Sequence, residues 1–428
     1  MDKIKLLLVV LMLIPIATQL INSEGHAQKI TWEVSQEKTF DKKVQDVTFG
    51  VFEKDWEEHI YPKIVVFEDE IRFYNERGKV IKSIRKGSGH RFSSNRSYIY
   101  TNTLTYKNTS KENFEAYFEL EVFDQNGCKI WERKKPLWYD VSPPGFFLLN
   151  NGAAVEIWGQ LGKFNFLDEN GRLIKGSGYF SEGQGIGHGY FASSGNGELI
   201  VATAMKSVAP LSVDAPIKKW ENAWLILYTK DGEELWRRTL DKFLSGCMFI
   251  NEDGRYIVFF GCNVYWKRES TPYAVFYLFN GDGNLIGKYS LEKGTSRGLS
   301  VAFSPDNSFV VVSQGSTVGL IELSNGKLLW EKRLPVVKVS NLRVSSSGYI
   351  FVNNDTREYI HGREGVTEQL IDVSQITVLD KMGKVVSVKE FPNKISFAHV
   401  LDDGKEKRVW CVAQVEACMK VYRIKEDN

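Results

Sequence analysis

LIELSNGKLLWEKRL, residues Leu320 to Leu334, holds an apolar run, a polar Asn-Gly turn and a second apolar run that carries Trp330. That is the local code of a β-hairpin. The same code recurs as IRFYNERGKVIKSI from Ile71, EVFDQNGCKIWERK from Glu121, NFLDENGRLIKG from Asn165, ILYTKDGEELWRR from Ile226, YLFNGDGNLIGKYSL from Tyr277 and TVLDKMGKVVSVKEF from Thr377, which makes seven copies. Aligned on the turn glycines Gly78, Gly127, Gly171, Gly232, Gly283, Gly326 and Gly383, the copies agree at two further positions. Five residues before each glycine stand Phe73, Val122, Phe166, Leu227, Leu278, Ile321 and Val378; three residues after each stand Ile81, Ile130, Ile174, Leu235, Ile286, Leu329 and Val386. The glycines recur on average about every 50 residues, a spacing at which repeats signal propellers and related arrays.

A second hairpin precedes the first in most copies, as in VAFSPDNSFVVVSQ from Val301, MFINEDGRYIVFFG from Met248 and FASSGNGELIVATA from Phe191. Two hairpins make a four-stranded unit with two apolar faces, which must stack on its neighbours around a ring. The expected fold is therefore all-β, a β-propeller of four-stranded antiparallel blades. Lys29-Ile30-Thr31-Trp32-Glu33 matches Lys327-Leu328-Leu329-Trp330-Glu331, and His399 to Ile424 reads as three strands. The N-terminal strand is thus expected to complete the last blade and close the ring, removing an open sheet edge. Seven copies plus this composite unit predict eight blades. If Val47 to Phe67, which lacks a clean turn and holds Trp56 and His59, is an excursion, the number is seven.

Of the 428 residues, 43% are hydrophobic and 25% charged, an ordinary globular balance. A formal net charge of +2 gives no global attraction to nucleic acid. Lys3 and Lys5, the apolar stretch Leu6 to Ala17 and the small-x-small site Gly25-His26-Ala27 read as a secretory signal over residues 1–27, leaving 28–428 as a single propeller domain. Once that signal is removed, nothing is expected to span a membrane, and the chain is expected to be secreted or periplasmic, in the cell envelope, as a monomer.

In a blade, the first-to-second and third-to-fourth turns share one face, and the second-to-third loops and blade crossings share the other. The excess length falls in the second set: Thr101 to Asn113, Met205 to Asn222, Cys262 to Pro272, Asn353 to Gln375 and the glycine-rich crossing Gly176 to Gly189. Long loops on a rigid scaffold are where binding sits. Three loop clusters mix aromatic and basic residues: Lys218 and Trp220; Tyr265, Trp266 and Arg268; Arg357, Tyr359, His361 and Arg363. Such mixtures suit protein or glycan surfaces, and they are also common in solvated loops. Trp32, Trp131, Trp236 and Trp330 are expected to pack between blades. His90, His188 and His399 stand near the starts of innermost strands, where three imidazoles can hold a metal; ordinary polar contacts are the competing reading. Cys411 and Cys418 flank a short turn, where a cross-strand disulfide is conceivable, and one of the five cysteines must stay free. No nucleophile elbow, Walker loop or paired zinc-ligand motif is present.

LSNGKLLWEKRL, DQNGCKIWERK and KDGEELWRRTL resemble the repeat of pyrroloquinoline-quinone-type (quinoprotein-like) propellers, and FSPDNSFVVVSQ is similar to the inner hairpin of WD-type repeats. Quinone-dependent dehydrogenases of that kind would imply a channel-bound quinone and calcium. The chain has no adjacent cysteine pair of the sort many of them use, so no cofactor is expected. Propellers resembling the barrel-assembly lipoprotein of bacterial envelopes imply protein-binding scaffolds, although a lipidation cysteine is missing here. The reading is an exported, non-catalytic propeller that binds a protein or glycan through its long-loop face. A quinone- or metal-dependent enzyme with its site at the channel mouth, and a structural envelope or surface component, are the alternatives.

Overall fold

The computed structural model describes residues 30–54, 57–93, 96–108, 114–137, 144–158, 163–178, 190–206, 222–240, 245–263, 273–291, 299–336, 338–359, 370–391, 395–402, 409–415 and 418–426. Every regular element among these residues is a strand. After β1 (Ile30–Thr39), seven sheets follow in chain order, each of four consecutive antiparallel strands. They are β2 (Asp46–Lys54), β3 (Glu57–Val66), β4 (Glu70–Tyr74) and β5 (Val80–Arg85); β6 (Gly89–Phe92), β7 (Tyr98–Asn108), β8 (Phe114–Asp124) and β9 (Lys129–Leu137); β10 (Gly145–Leu148), β11 (Ala154–Trp158), β12 (Lys163–Leu167) and β13 (Leu173–Gly178). Next come β14 (Phe191–Ser193), β15 (Leu199–Lys206), β16 (Asn222–Thr229) and β17 (Glu234–Leu240), then β18 (Ser245–Ile250), β19 (Tyr256–Asn263), β20 (Tyr273–Asn280) and β21 (Leu285–Tyr289). The last two are β22 (Leu299–Phe303), β23 (Phe309–Gln314), β24 (Thr317–Glu322) and β25 (Leu328–Arg333), and β26 (Lys338–Val344), β27 (Ile350–Tyr359), β28 (Leu370–Leu379) and β29 (Val385–Phe391). The remaining strands, β30 (Ile395–Asp402), β31 (Val409–Val415) and β32 (Cys418–Glu426), form a composite sheet in which β1 pairs with β32.

The seven repeated hairpins are the third and fourth strands of the seven consecutive sheets. Each turn glycine has a left-handed φ, between 68° and 82°, which only glycine adopts without penalty. In six of the seven turns an Asp, Asn or Thr three residues earlier accepts backbone N–H bonds that shape the turn. Asp124 Oδ1, for example, receives Asn126 N at 2.9 Å and Cys128 N at 2.8 Å. Each hairpin then carries a bulge. Val122 pairs with Trp131 and Phe123 with Lys129, so Ile130 has no partner. The skipped residue in the others is Ile81, Ile174, Leu235, Ile286, Leu329 and Val386. The aliphatic position that repeats three residues after the glycine is thus the bulge itself, and five of its seven occupants are 39–50% exposed. The residues five before the glycine, by contrast, lie on the third strand and are all at most 1% exposed.

The bulge resets which face the following residue takes, and the tryptophans use that phase. Trp131, Trp236 and Trp330 each lie over the turn glycine of the next sheet, Gly171, Gly283 and Gly383, so closely that a Cβ there would stand 2.8–2.9 Å from the indole. Each indole N–H also donates to a carbonyl in the next sheet: Gly152 O at 2.9 Å, Gly281 O at 2.7 Å and Lys381 O at 2.9 Å. Two residues further on, Arg133, Arg238 and Lys332 donate to the carbonyls of the same glycines. In the fifth sheet Gly287 stands at the tryptophan position. The Tyr289 ring fills the space beside it, and its hydroxyl donates to Gly326 O. Trp32 lies on β1, where only backbone register is described, opposite Ile424.

Packing is face to face between sheets that follow one another. One core joins Leu225 and Leu227 of β16 to Ile257 and Phe259 of β19, another joins Val258 and Phe260 to Val310 and Val312 of β23, and four more repeat the scheme from the first sheet to the seventh. First strands of neighbouring sheets approach one another, as β22 and β26 do, so they form the inner side. This is a β-propeller architecture.

Three local expectations change. Residues 47–67 form a complete hairpin, β2–β3, with Lys54 opposite Glu57. Thr101 to Asn108 and Asn353 to Tyr359 are strand and not loop, because β7–β8 and β27–β28 run on as paired ribbons. Cys411 pairs with Tyr422, and Cys418 with Val415. Four register steps, roughly 13 Å of strand, separate the two cysteines, well beyond the reach of a disulfide. Cys128 and Cys247 are free thiols.

Candidate functional site

Most of the residues proposed for binding lie outside the described residues: Lys218, Trp220, Tyr265, Trp266, Arg268, His361 and Arg363. Arg357 and Tyr359 do not sit in a loop. Register places them on β27 opposite Asp372 and Leu370. β26 pairs with β27 only as far as Asp355, and β29 pairs with β28 only as far as Ser374. Among the described residues Thr356–Tyr359 and Leu370–Val373 therefore pair only with each other and project from the end that carries the second-to-third loops.

Of the three histidines, His188 lies outside the described residues, and His399 is placed by backbone alone, opposite Val412 on β31. His90, on β6, packs edge-on against Phe92 at 6.3 Å between ring centres. Burial lowers its pKa, Asp46 raises it, and Lys86 and Arg96 lower it, with a net shift downward. Among the described residues no group of three metal-ligating side chains gathers.

The same neighbourhood holds a residue that the sequence reading passed over. Arg96 has φ 59° at the turn position where other inner hairpins carry Gly152, Gly197, Gly254, Asn307 and Gly348. A non-glycine residue there is strained and persists where its surroundings fix it. Its guanidinium lies over the Phe92 ring at 4.5 Å, pairs with the Asp46 carboxylate and donates to Val47 O at 3.0 Å, tying the second sheet to the inner strand of the first. The signal was present: SSNRSYI from Ser93 aligns with SGNGELI from Ser194, arginine in place of glycine.

A buried ionic seam joins the second and third sheets. Glu156 on β11 has no solvent exposure and receives Lys135 Nζ on both oxygens at 2.7 and 2.8 Å and Asn165 Nδ2 at 2.7 Å. Burial pushes its pKa up, but Lys135 and Asn165 outweigh that and hold it below the ordinary carboxylate value. The Lys135 ammonium also lies 5.1 Å from the centre of the Trp158 ring. Every polar atom named here is satisfied from within, so the cluster serves as an inter-sheet fastener.

A cavity among the described residues lies at the opposite end from the projecting β27–β28 ribbon. A cleft of about 560 Å³ opens between Tyr61 and Lys63 of β3, the β4–β5 turn with Arg77 and Lys79, and the β8–β9 turn with Gln125 and Asn126. Lys63 Nζ spans it to Gln125 Oε1 at 2.9 Å. Burial, then the nearby Glu76 charge, raises the Tyr61 pKa, so its hydroxyl stays a donor.

No family model and no curated protein matches the chain. Among solved structures, BamB from Moraxella catarrhalis aligns over 92% of this chain and 100% of its own at 12% identity, with a TM-score of 0.49. The Dos1 propeller aligns over 92% and 95% at 10% identity and TM-score 0.49. A structure described as the eukaryotic initiation factor aligns over 83% and 90% at 12% identity and TM-score 0.44. It is the chain's own sheet order and inter-sheet packing that give its architecture, a β-propeller.

Proposed function

We propose that this chain is an exported, non-catalytic β-propeller that holds a protein or glycan partner on the face carrying its second-to-third loops. The observation that carries the reading is the β27–β28 ribbon, which puts Arg357 and Tyr359 beyond the sheets, on the face where the other aromatic and basic clusters also fall by strand order. Paired backbone displays side chains with less conformational entropy to lose than a loop does, which favours binding. Lys218, Trp220, Tyr265, Trp266, Arg268, His361 and Arg363 belong to the same proposed surface. Residues 1–27 act as its export signal, and 28–428 as one domain. Among the described residues no helix is long and apolar enough to cross a membrane.

The proposed ring has eight blades, the composite sheet being the eighth. Contacts on both flanks of that sheet support closure. Phe391 of β29 meets Tyr422 of β32 edge-on at 5.7 Å, and Lys38 of β1 donates to Gly78 O at 3.2 Å with its ammonium 4.8 Å from the Tyr74 ring centre. The second of these is, like those of Arg133, Arg238 and Lys332, a basic side chain on the carbonyl of the next turn glycine, although Lys38 stands six residues after Trp32 where the others stand two after their tryptophans.

Affinity capture from the source cell's envelope and medium tests the binding face, comparing the mature chain with a Trp220→Ala/Trp266→Ala variant and an Arg357→Ala/Tyr359→Ala variant. A specific protein or glycan retained by the parent and lost by the variants is the expected result. Equal capture by all three removes this face from the account.

A further inference from the structure

β3 carries a free edge. On one side it pairs with β2 from Glu57 to Val66, with a bulge at Lys63 that the register skips, but on the other it meets β4 only through Ile64, Val65 and Val66. Among the described residues, no strand occupies that second side along Glu57–Lys63, because β4 ends at Tyr74 and the chain turns away. An edge of this kind offers unpaired N–H and C=O groups to an incoming strand, with Pro62 alone lacking a donor. The cleft described above lies beside this edge, bounded by Tyr61 and Lys63 of the same strand.

Its charge is one-sided. Lys63, Arg77 and Lys79 line it, with Glu76 as the single carboxylate in the lining. Among the described residues none of the three cations makes an ion pair; Lys63 is held by an amide oxygen. Neighbouring surface lysines, by contrast, pair with acids: Lys42 with Asp69 and Glu70, and Lys129 with Glu121 and Glu132. Unpaired cations converging beside a free strand edge suit an extended segment that brings its own carboxylates, joined by backbone pairing.

We propose that the free edge of β3 and its cleft take up an extended acidic segment of a partner protein as an added strand, its carboxylates meeting Lys63, Arg77 and Lys79. The added strand continues the first sheet where β4 leaves it. This site is at the other end of the propeller from the long-loop face, so either stands without the other.

Fluorescence anisotropy of a fluorescein-labelled heptapeptide alternating glutamate and valine, titrated with the full chain, tests it. The expected result is saturable binding, weakened at least tenfold in Lys63→Glu/Arg77→Glu/Lys79→Glu and lost when alternate peptide nitrogens are methylated, with no binding of the lysine–valine counterpart. If the triple variant does not fold, the exposed single change Lys79→Glu carries the test, with about threefold weakening expected. No binding of the acidic peptide overturns the proposal. So does binding that survives N-methylation, which leaves charge attraction alone, or equal binding by the charge-reversed variants. A dimer of the chain in sedimentation, dissociated by the same substitutions, would assign the edge to a second copy and overturn it as well.

Discussion

At the residue scale, the turn glycines do two jobs, and one pair of substitutions separates them. Gly283 and Gly315 both have left-handed φ, 77° and 59°, but a Cβ on Gly283 would meet the Trp236 indole at 2.8 Å, whereas Gly315 has nothing within 4 Å. Gly315→Ala is expected to cost about 1 kcal/mol, the backbone penalty alone. Gly283→Ala should cost about 3 kcal/mol, because the indole must also shift and its bond to Gly281 O is put at risk; chemical denaturation of the two variants measures both. Glu156 gives a pH-dependent counterpart. Its folded-state pKa lies below its ordinary value, so its contribution is fully present above the ordinary carboxylate range and is lost as pH falls through the lowered folded value. Glu156→Gln is therefore expected to lower stability by about 2 kcal/mol at pH 7 and to converge on the parent once the pH has fallen below the lowered folded-state value. A gap that stays constant with pH would remove the ionic account. The glycines were legible in the sequence because their spacing repeats. The partners of Glu156 were not, since Lys135 comes from another sheet and no local pattern in AVEIW announces it.

At the element scale, the hairpins were readable from turn chemistry and alternation, but the bulge was not. An aliphatic residue three places after each glycine looks like core, whereas it is the residue the register skips, and Leu329 is 49% exposed. Leu329→Ser is thus expected to change stability by no more than about 0.5 kcal/mol. Deleting Leu329 removes the phase reset and turns Trp330 from its seat over Gly383, at an expected cost of about 3 kcal/mol or more, comparable to losing a packed tryptophan. Equal effects of the two changes, read by equilibrium unfolding, would contradict the bulge assignment. The projecting ribbons were also hidden, for a related reason. TNTLTYKN from Thr101 and NNDTREY from Asn353 are mostly polar and lack the apolar alternation that marks a half-buried strand, so they read as loop. Arg357 and Tyr359 consequently stand on paired backbone, a firmer platform than the loop that sequence alone suggested.

At the scale of the whole molecule, an apolar core repeats between successive sheets from the first to the seventh, with a tryptophan over the next turn glycine at three of the seams, and the composite sheet is where the ring is completed or left open. The pairing of β1 with β32 runs from Ile30↔Glu426 to Thr39↔Cys418, and Lys38 carries the seam on to Gly78. This much of the β1–β32 pairing was legible, because Lys29–Glu33 copies Lys327–Glu331 and His399–Ile424 reads as three strands. The proposed closure would exclude the edge-to-edge pairing an open blade invites. Because the proposed closure would position every face of the molecule, the most direct test is strand complementation. A chain lacking residues 28–45 is measured by thermal unfolding with and without a synthetic peptide of those residues. The account predicts a melting temperature lowered by about 5 °C or more and restored by the peptide in a saturable manner, while a peptide with Lys38→Glu restores less. A shortened chain that melts with the parent, or that ignores the peptide, would contradict the closed ring.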